Sequence, residues 1–526
     1  MADGRPAENK RAILFTTSLV SSLIMLDSNI VAVSLPAIGH SLHASFSDVQ
    51  WVIGAYLLSY AALLLATGAF ADRHGRKRAT VIGLVIFGLA SMLCGLAPSA
   101  WVLNAARALQ GVGGSFLLTA ALAILTHTFS GAERAKAFSV WGACLGIALT
   151  IGPIVGGVIT NFWGWRWIFL VNIPASLALI WAIFRFIPES RDEQATGLDF
   201  AGIATFTPGL FFLVWAMIDG NKDGWSSPGI LGRLALFVGF TAVYIWVEKR
   251  QTRPMVDLTL FRSHPFLGSV LAMIGYGGAA QVMIFYLPVY LQSAFALSPL
   301  KAGLAMLPFA LPMVLVPRFA SGVTARYPSG TILAAGLAVT CVGNGLFWWM
   351  ARAQLPYEDF LVGMLVAGTG AGILNGETVK AIGASVPPER AGMASGLAST
   401  TRFIGILLGV AALGAALSHV AKATFEREFA GNGLTPDAIE KLAAQIPTGD
   451  IDLTLAPAAL HGKLVASAHS AFSQGFGSAT FIATVTAFVA FLLVVHFLRA
   501  FRMPQQSGTA SEPKRPCFPI DCRHPI

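Results

Sequence analysis

Charge is scarce in this chain: Asp, Glu, Lys and Arg make up only 12% of its 526 residues, against 55% that are hydrophobic. Soluble domains carry about 25% charged residues, so a water-soluble fold is excluded. Cysteine is scarce as well. Cys94, Cys144 and Cys341 stand in apolar runs and Cys517 and Cys522 near the C-terminus, a scatter that fits neither a disulfide framework nor zinc-ligand spacing. Catalytic motifs are missing: there is no phosphate-binding P-loop, no His-Glu-x-x-His and no nucleophile elbow. Gly368-Thr369-Gly370-Ala371-Gly372 lies inside an apolar run with no strand before it, so it is no dinucleotide loop. ATP-driven transport and hydrolysis are therefore disfavoured, and no cofactor or metal is called for. The net charge of +9 is spread through short gaps rather than gathered on one solvated face, so nucleic acid is not an expected partner. A cleaved signal peptide is not expected either, because the first apolar run is too long for one and no small-residue cleavage pattern follows it.

What fills the chain instead is apolar runs of about 17 to 25 residues, each able to cross a hydrocarbon core near 30 Å; we count about fourteen. They predict an all-α integral membrane protein with a lipid membrane as its surroundings. In chain order they read as six, two and six: six over 13–187, two in 188–264 and six over 265–502. Residues 1–12 and the tail 503–526 are expected to be cytoplasmic, the tail disordered for want of anything to bury. Lys and Arg concentrate in alternate gaps, as at Arg73, Arg76, Lys77 and Arg78, at Arg134 and Lys136, and at Lys249, Arg250 and Arg253. By the positive-inside bias these gaps and both termini face the cytoplasm. One outer gap is long: 419–475 is polar with a helix expected over 435–445, and it reads as a solvated loop, with capping or gating as the alternative.

Asp27 sits in the middle of the first apolar run, where an ionised carboxylate costs about 2.5 to 3.5 kcal/mol on insertion scales. Such residues face a bundle interior and serve either a structural pair or a proton or substrate site. Arg107 in the fourth run raises the same question; Asp27 is its natural partner, backbone carbonyls being the other choice. Arg107, Gln110, Gly111 and Gly114 fall on one helical face. After the second run, Gly68-Ala69-Phe70-Ala71-Asp72-Arg73-His74-Gly75-Arg76-Lys77-Arg78 makes a tight turn in which Gly68 and Gly75 permit close approach. Asp72 there can pair with a neighbouring Arg or a helix N-terminus, so the loop reads as a conformational latch. Glu377 lies one helical turn from Lys380 and is read either as half of an internal ion pair or as a second functional acid. Tyr276, Met283, Phe285, Tyr286 and Tyr290 are candidates for a pliable binding surface or for ordinary helix packing.

Those motifs together resemble the major facilitator superfamily, and within it the fourteen-helix drug:proton antiporter branch. The turn after helix two follows its signature Gly-x-Leu-Ala-Asp-Arg-x-Gly-Arg-Lys, with Phe70 in place of Leu. Arg107 to Gly114 is similar to its arginine motif, to which the family assigns a part in proton transfer. Gly146, Gly152, Pro153, Gly156 and Gly157 match its Gly-Pro-x-x-Gly-Gly antiporter motif. The stretch from Leu26 to Pro36 resembles the branch's first-helix motif, departing at Asn29 and Ala32. Gly164 to Pro174 opens the sixth span as in the branch, with Trp165 and Trp167 placed for a membrane interface. Pro387 to Gly396 and Arg402 follow it in the second half, and Arg402 is a candidate substrate residue. The second-half counterpart of the latch keeps Arg326 but has Ala325 where an acid is expected. The resemblance implies a major facilitator fold and proton-coupled export of drugs or other amphipathic small molecules, with the proton gradient as energy source, protons as partners and Asp27 and Arg107 as the coupling pair. A dedicated exporter of one metabolite, antibiotic, siderophore or amino acid is the alternative, and a non-transporting receptor or assembly factor a more distant one. A bacterial inner membrane follows from the same resemblance; no residue pattern specifies a periplasmic adaptor.

Overall fold

The computed structural model describes residues 7–192, 199–251, 256–319, 326–386, 391–429, 434–448 and 453–498. All regular structure among them is helical, and 14 helices are long and apolar enough to cross a membrane. The first bundle contains α1 (Ala7–Leu42), α2 (Phe46–His74), α3 (Arg76–Gly95), α4 (Ala100–Thr128), α5 (Gly131–Phe162) and α6 (Trp167–Phe186). An inserted pair follows, α7 (Phe200–Asp223) and α8 (Pro228–Arg250). The second bundle contains α9 (His264–Phe295), α10 (Pro299–Phe319), α11 (Ser329–Arg352), α12 (Tyr357–Ala384), α13 (Ala391–Phe429) and α15 (His461–Leu498), with a short α14 (Pro436–Gln445) between the last two.

Local chemistry sets the helix ends. Ser45 and Asp48 form a capping box at the start of α2: Asp48 N donates to Ser45 Oγ at 3.2 Å and Ser45 N to Asp48 Oδ2 at 3.0 Å. Gly75 ends α2 and begins α3 at φ +114°, a backbone region that side chains disfavour. Within α9, Tyr276–Gln281 forms a π-helical turn that frees a carbonyl, and Asn344 Nδ2 of α11 donates to Ala279 O at 2.8 Å. There Gly277 and Gly278 of α9 let the backbone of α13 approach at Arg402 and Gly405.

The bundles touch at mid-depth, where Tyr60 of α2 lies 4.5 Å from Phe403 of α13, and at the end of the molecule remote from the N-terminus, here called the distal end. A Cβ on Gly157 of α5 would lie 2.5 Å from Pro299 O of α10, and one on Gly303 of α10 would overlap Pro153 O. These two backbones therefore touch. Gln292 Nε2 of α9 donates to Val33 O of α1 at 2.8 Å, and Gln50 Nε2 of α2 to Val410 O of α13 at 3.1 Å. The inserted α7 packs on α2 and α13, bringing Phe211 to 6.0 Å from Trp51. By contrast α8 buries only Ile230 and Glu248 and turns Leu236, Val238, Val243 and Trp246 outward.

The outer gap differs from the expected solvated loop over 419–475. Helix α13 continues to Phe429 and the last helix begins at His461, so both ends of that stretch extend spans beyond the apolar core. The expected helix is α14, with Thr435 Oγ1 accepting from Ala438 N. Its Leu442 and Ala443, with Ile446 after it, are buried, and Pro447 lines a crevice with Leu35, Gln50, Tyr286 and Val410. A few apolar side chains in a polar segment suffice to seat it on the distal mouth. The expected tail 503–526, residues 387–390 of the Pro387 to Gly396 motif and residues 320–325 of the second latch lie outside the described residues.

Candidate functional site

Asp27 lies about midway along α1 and is 1% exposed. Arg107 NH1 donates to its Oδ2 at 2.7 Å, while Gln110 Nε2 and Asn172 Nδ2 donate to Oδ1 at 2.9 and 2.7 Å. The carboxylate thus accepts three hydrogen bonds, one of them charge-assisted. Arg107 takes both partners that the sequence left open: Asp27, and a backbone carbonyl, Val52 O, 3.0 Å from its Nε. Its NH1 also reaches Gln110 Oε1 at 2.6 Å, and its Cζ lies 4.2 Å from the Tyr56 ring centroid and 5.7 Å from that of Phe169. The network fixes which way the Gln110 amide points, oxygen to the guanidinium and nitrogen to Asp27 and Ser91 Oγ, the latter at 2.8 Å.

The arginine motif serves this centre from one face of α4 in two ways. Arg107 and Gln110 supply the ligands, and a Cβ at Gly111 would overlap Ser59 Oγ and Tyr56 O, so glycine lets α2 come close enough to offer Val52 O and the Tyr56 ring. Sequence reasoning missed Asn172 and Ser91 as members. Asn172 had a signal, since it begins the second helical segment of α6, Asn172–Phe186, just inside an interfacial stretch rich in Trp, yet there an amide reads as interface polarity. Ser91 had none.

At the opposite end, Asp72 Oδ1 accepts from Arg76 Nε at 3.0 Å and NH2 at 2.9 Å, while Arg73 is exposed. The backbone after α6 closes over this turn: Arg76 N donates to Ser190 O at 2.9 Å and Asp192 N to Asp72 O at 2.8 Å. The start of α3 is capped by an acid the sequence did not single out. Glu189 accepts from Lys77 N at 3.0 Å and Arg78 N at 3.2 Å. Gly75 makes room for it, because a Cβ there would sit 2.6 Å from Glu189 Oε1. Gly68 has only ordinary contact with Thr119, at 3.7 Å.

The antiporter glycines divide between neighbours. Gly152 and Gly156 face α1, where an added Cβ would meet Asn29 Cβ at 2.6 Å and Ile30 O at 2.7 Å; Gly146 and Gly157 face α10 at Val314 and Pro299. In the second bundle, Glu377 is buried and Lys380 Nζ lies 3.2 Å from its Oε1, with the lysine side chain 55% exposed. Tyr276 OH donates to Asn375 Oδ1 at 3.0 Å, and Arg402 is half-buried. Phe285 and Tyr286 line the distal crevice. Met283 is buried in the second bundle, and Tyr290 stacks on Phe476 with ring centroids 4.0 Å apart. No cluster of His, Cys, Asp or Glu able to hold a metal occurs among the described residues.

The family model of the Major Facilitator Superfamily matches residues 17–410. Among curated relatives, the multidrug resistance protein Stp of Mycobacterium tuberculosis is 32% identical over 91% of this chain and 90% of its own length. The multidrug efflux pump LfrA of Mycolicibacterium smegmatis is 31% identical over 90% of this chain and 93% of its own. The tetracenomycin C resistance and export protein of Streptomyces glaucescens is 29% identical over 93% and 90%. Among solved structures, a bacterial homolog to the human lysosomal transporter Spinster, inward-facing and unoccupied, superposes with a TM-score of 0.63 over 95% of this chain and 100% of that one, at 17% identity. That last likeness speaks to the fold alone. With a family model covering most of its length and a fold of the same kind, the chain belongs to the major facilitator superfamily and is a secondary transporter rather than an enzyme.

Proposed function

We propose that this protein exports amphipathic small molecules, drugs or antibiotics among them, by proton-coupled antiport across a bacterial inner membrane. The names of its relatives, a multidrug resistance protein, an efflux pump and an antibiotic export protein, support the direction and the cargo. The basic gaps support cytoplasmic termini. On that orientation the distal end faces outward, and the present conformation is closed to the outside.

The observation that carries proton coupling is the Asp27 centre. Three donors, one of them a guanidinium, hold the two carboxylate oxygens, a set suited to the charged form. A proton arriving on Oδ2 cancels the negative charge that holds the Arg107 guanidinium there. Protonation therefore opens the ion pair, and loss of the proton restores it. One state is charged and tied across α1, α4 and α6; the other is neutral and loosened. Export follows if substrate prefers one state and the two facing conformations favour different states, since equal binding shifts nothing. Asp72, Arg73 and Arg76, at the cytoplasmic rim in this orientation, bias the same equilibrium.

The test is proton-driven uptake into inverted vesicles across a panel of dyes and drugs, comparing wild type with Asp27→Asn and Arg107→Ala. Both substitutions are expected to abolish gradient-dependent uptake. Full coupled transport by Asp27→Asn would overturn the assignment. A dedicated exporter is the second reading, favoured by a relative named for one compound, tetracenomycin C; uptake of a single panel member would select it.

A further inference from the structure

Tyrosine and cysteine aside, the ionisable side chains well inside the spans of the two bundles are Asp27, Arg107, Glu377, Lys380 and Arg402. Four of these are already neutralised in pairs, Asp27 with Arg107 at 2.7 Å and Glu377 with Lys380 at 3.2 Å. Arg402 of α13 is what remains: among the described residues it has no carboxylate within ion-pair distance, and its Nε is buried without a hydrogen-bond partner. An unpaired charge and an unmet donor at this depth are both costly, and such a group calls for a ligand.

Its surroundings are donors and rings from both bundles. Arg402 Cζ lies 5.5 Å from the Phe403 ring centroid, and Tyr60 of α2 stands edge-on to that same ring at 4.5 Å. The chain beside Tyr276 reaches Arg402 as well, since a Cβ on Gly277 would lie 2.6 Å from Arg402 O. Tyr276 OH is engaged by Asn375, whereas Tyr60 OH is buried with no partner. An unmet guanidinium N–H on one bundle and an unmet phenol on the other, among aromatic faces, suit a planar oxyanion on an aromatic body.

We infer that Arg402 and Tyr60 form the receptor for an acidic group of the exported molecule, a carboxylate or phenolate on an amphipathic aromatic scaffold. This deepens the export reading and rests on it. The receptor is connected to the Asp27 centre by packing: Tyr60 stacks on Tyr56 with centroids 5.8 Å apart, and the Tyr56 ring covers the Arg107 guanidinium. Cargo that neutralises Arg402 therefore touches the helix face that holds the proton site.

The experiment uses the full chain in lipid nanodiscs and two dyes on one xanthene scaffold, the anionic carboxyfluorescein and the cationic rhodamine 6G, with binding read by fluorescence anisotropy. Wild type is expected to bind the anionic dye. Arg402→Gln should weaken that binding by about ten- to a hundredfold, the value of a charge-assisted hydrogen bond, while leaving the cationic dye unchanged or tighter. Arg402→Lys should recover part of the loss, and Tyr60→Phe should cost several-fold, about what one neutral hydrogen bond contributes. Failure of wild type to bind the anionic dye, unchanged anionic affinity in Arg402→Gln, or an equal loss for both dyes would overturn the inference, the last by making Arg402 a structural residue. Uptake into inverted vesicles separates the two readings. Proton-driven uptake of the cation but never the anion sinks the receptor and leaves export standing, whereas uptake of neither dye nor any drug sinks export itself.

Discussion

Breaking the Asp27–Arg107 pair from one side should cost more than removing it whole. In Asp27→Leu the guanidinium stays buried, keeping only Val52 O and Gln110 Oε1 as acceptors, and Asn172 and Gln110 lose the oxygen they share. An uncompensated buried charge costs about 3–5 kcal/mol. Arg107→Met leaves the carboxylate with two amide donors and no countercharge, a penalty in the same range of about 3–5 kcal/mol. In the double variant neither charge remains, and replacing a buried pair by apolar side chains of similar volume is often neutral or stabilising. The coupling in the double-mutant cycle should therefore approach the sum of the two single losses, about 6–10 kcal/mol, well above what neutral residues in contact show. The measurement is reversible unfolding of the purified protein in mixed micelles titrated with a denaturing detergent, with the four proteins run side by side. If the double variant is less stable than either single one, by the sum of the two losses, the pair is not the closed unit described here. Transport gives the converse readout, since the double variant should be stable and inactive.

Asn172→Ala removes one of two donors to Asp27 Oδ1, so unfolding in the same assay should show a loss of about 1–2 kcal/mol, clearly smaller than that of Asp27→Leu. Gly75→Ala places a Cβ against Glu189 at a φ that side chains disfavour; a stability loss of about 1–3 kcal/mol is expected, and no loss would mean that Glu189 does not cap α3. Gly157→Leu should prevent closure of the distal end, because its Cβ already meets Pro299 O at 2.5 Å. Paired cysteines replacing Gln292 and Val33 should then cross-link far less than in the otherwise wild-type protein, while size-exclusion behaviour stays unchanged.

The spans were legible because each is a continuous apolar run of membrane length, and Asp27 and Arg107 were legible because an ion in such a run demands a partner. Which partner was not: Arg107 bonds both a carboxylate and the Val52 carbonyl, a choice that depends on how closely α2 and α4 approach. Asn172 escaped notice because a neutral amide near a helix start, beside interfacial tryptophans, reads as interface polarity. Glu189 lies just past a helix end, where acids are ordinary, and only the folded turn brings it to Lys77 N and Arg78 N. The π-turn at Tyr276–Gln281 leaves no hydropathy trace, since its glycines read as packing. In the segment 419–475 the helix was legible but its seat was not, because polar composition dominates and only Leu442, Ala443 and Ile446 hold it.

The two kinds of contact in this molecule suit an exchange between the two facing conformations. Inside the first bundle, the ion pair and its amide partners cross α1, α3, α4 and α6 in low dielectric, and parting α1 from α4 or α6, or α3 from α4, strands a charge or a donor. Between the bundles, α5 and α10 touch backbone to backbone through Gly157 and Gly303, a van der Waals surface that water, lipid or another helix face can replace. The hydrogen bonds there run from the flexible amides of Gln50 and Gln292 to carbonyls of Val410 and Val33. Because those carbonyls belong to helices, their intrahelical partners remain when the glutamines leave. Opening the distal end thus strands no charge, whereas deforming the first bundle does. The lobes should move as bodies, and the glycines of the antiporter motif set where the seam between them lies.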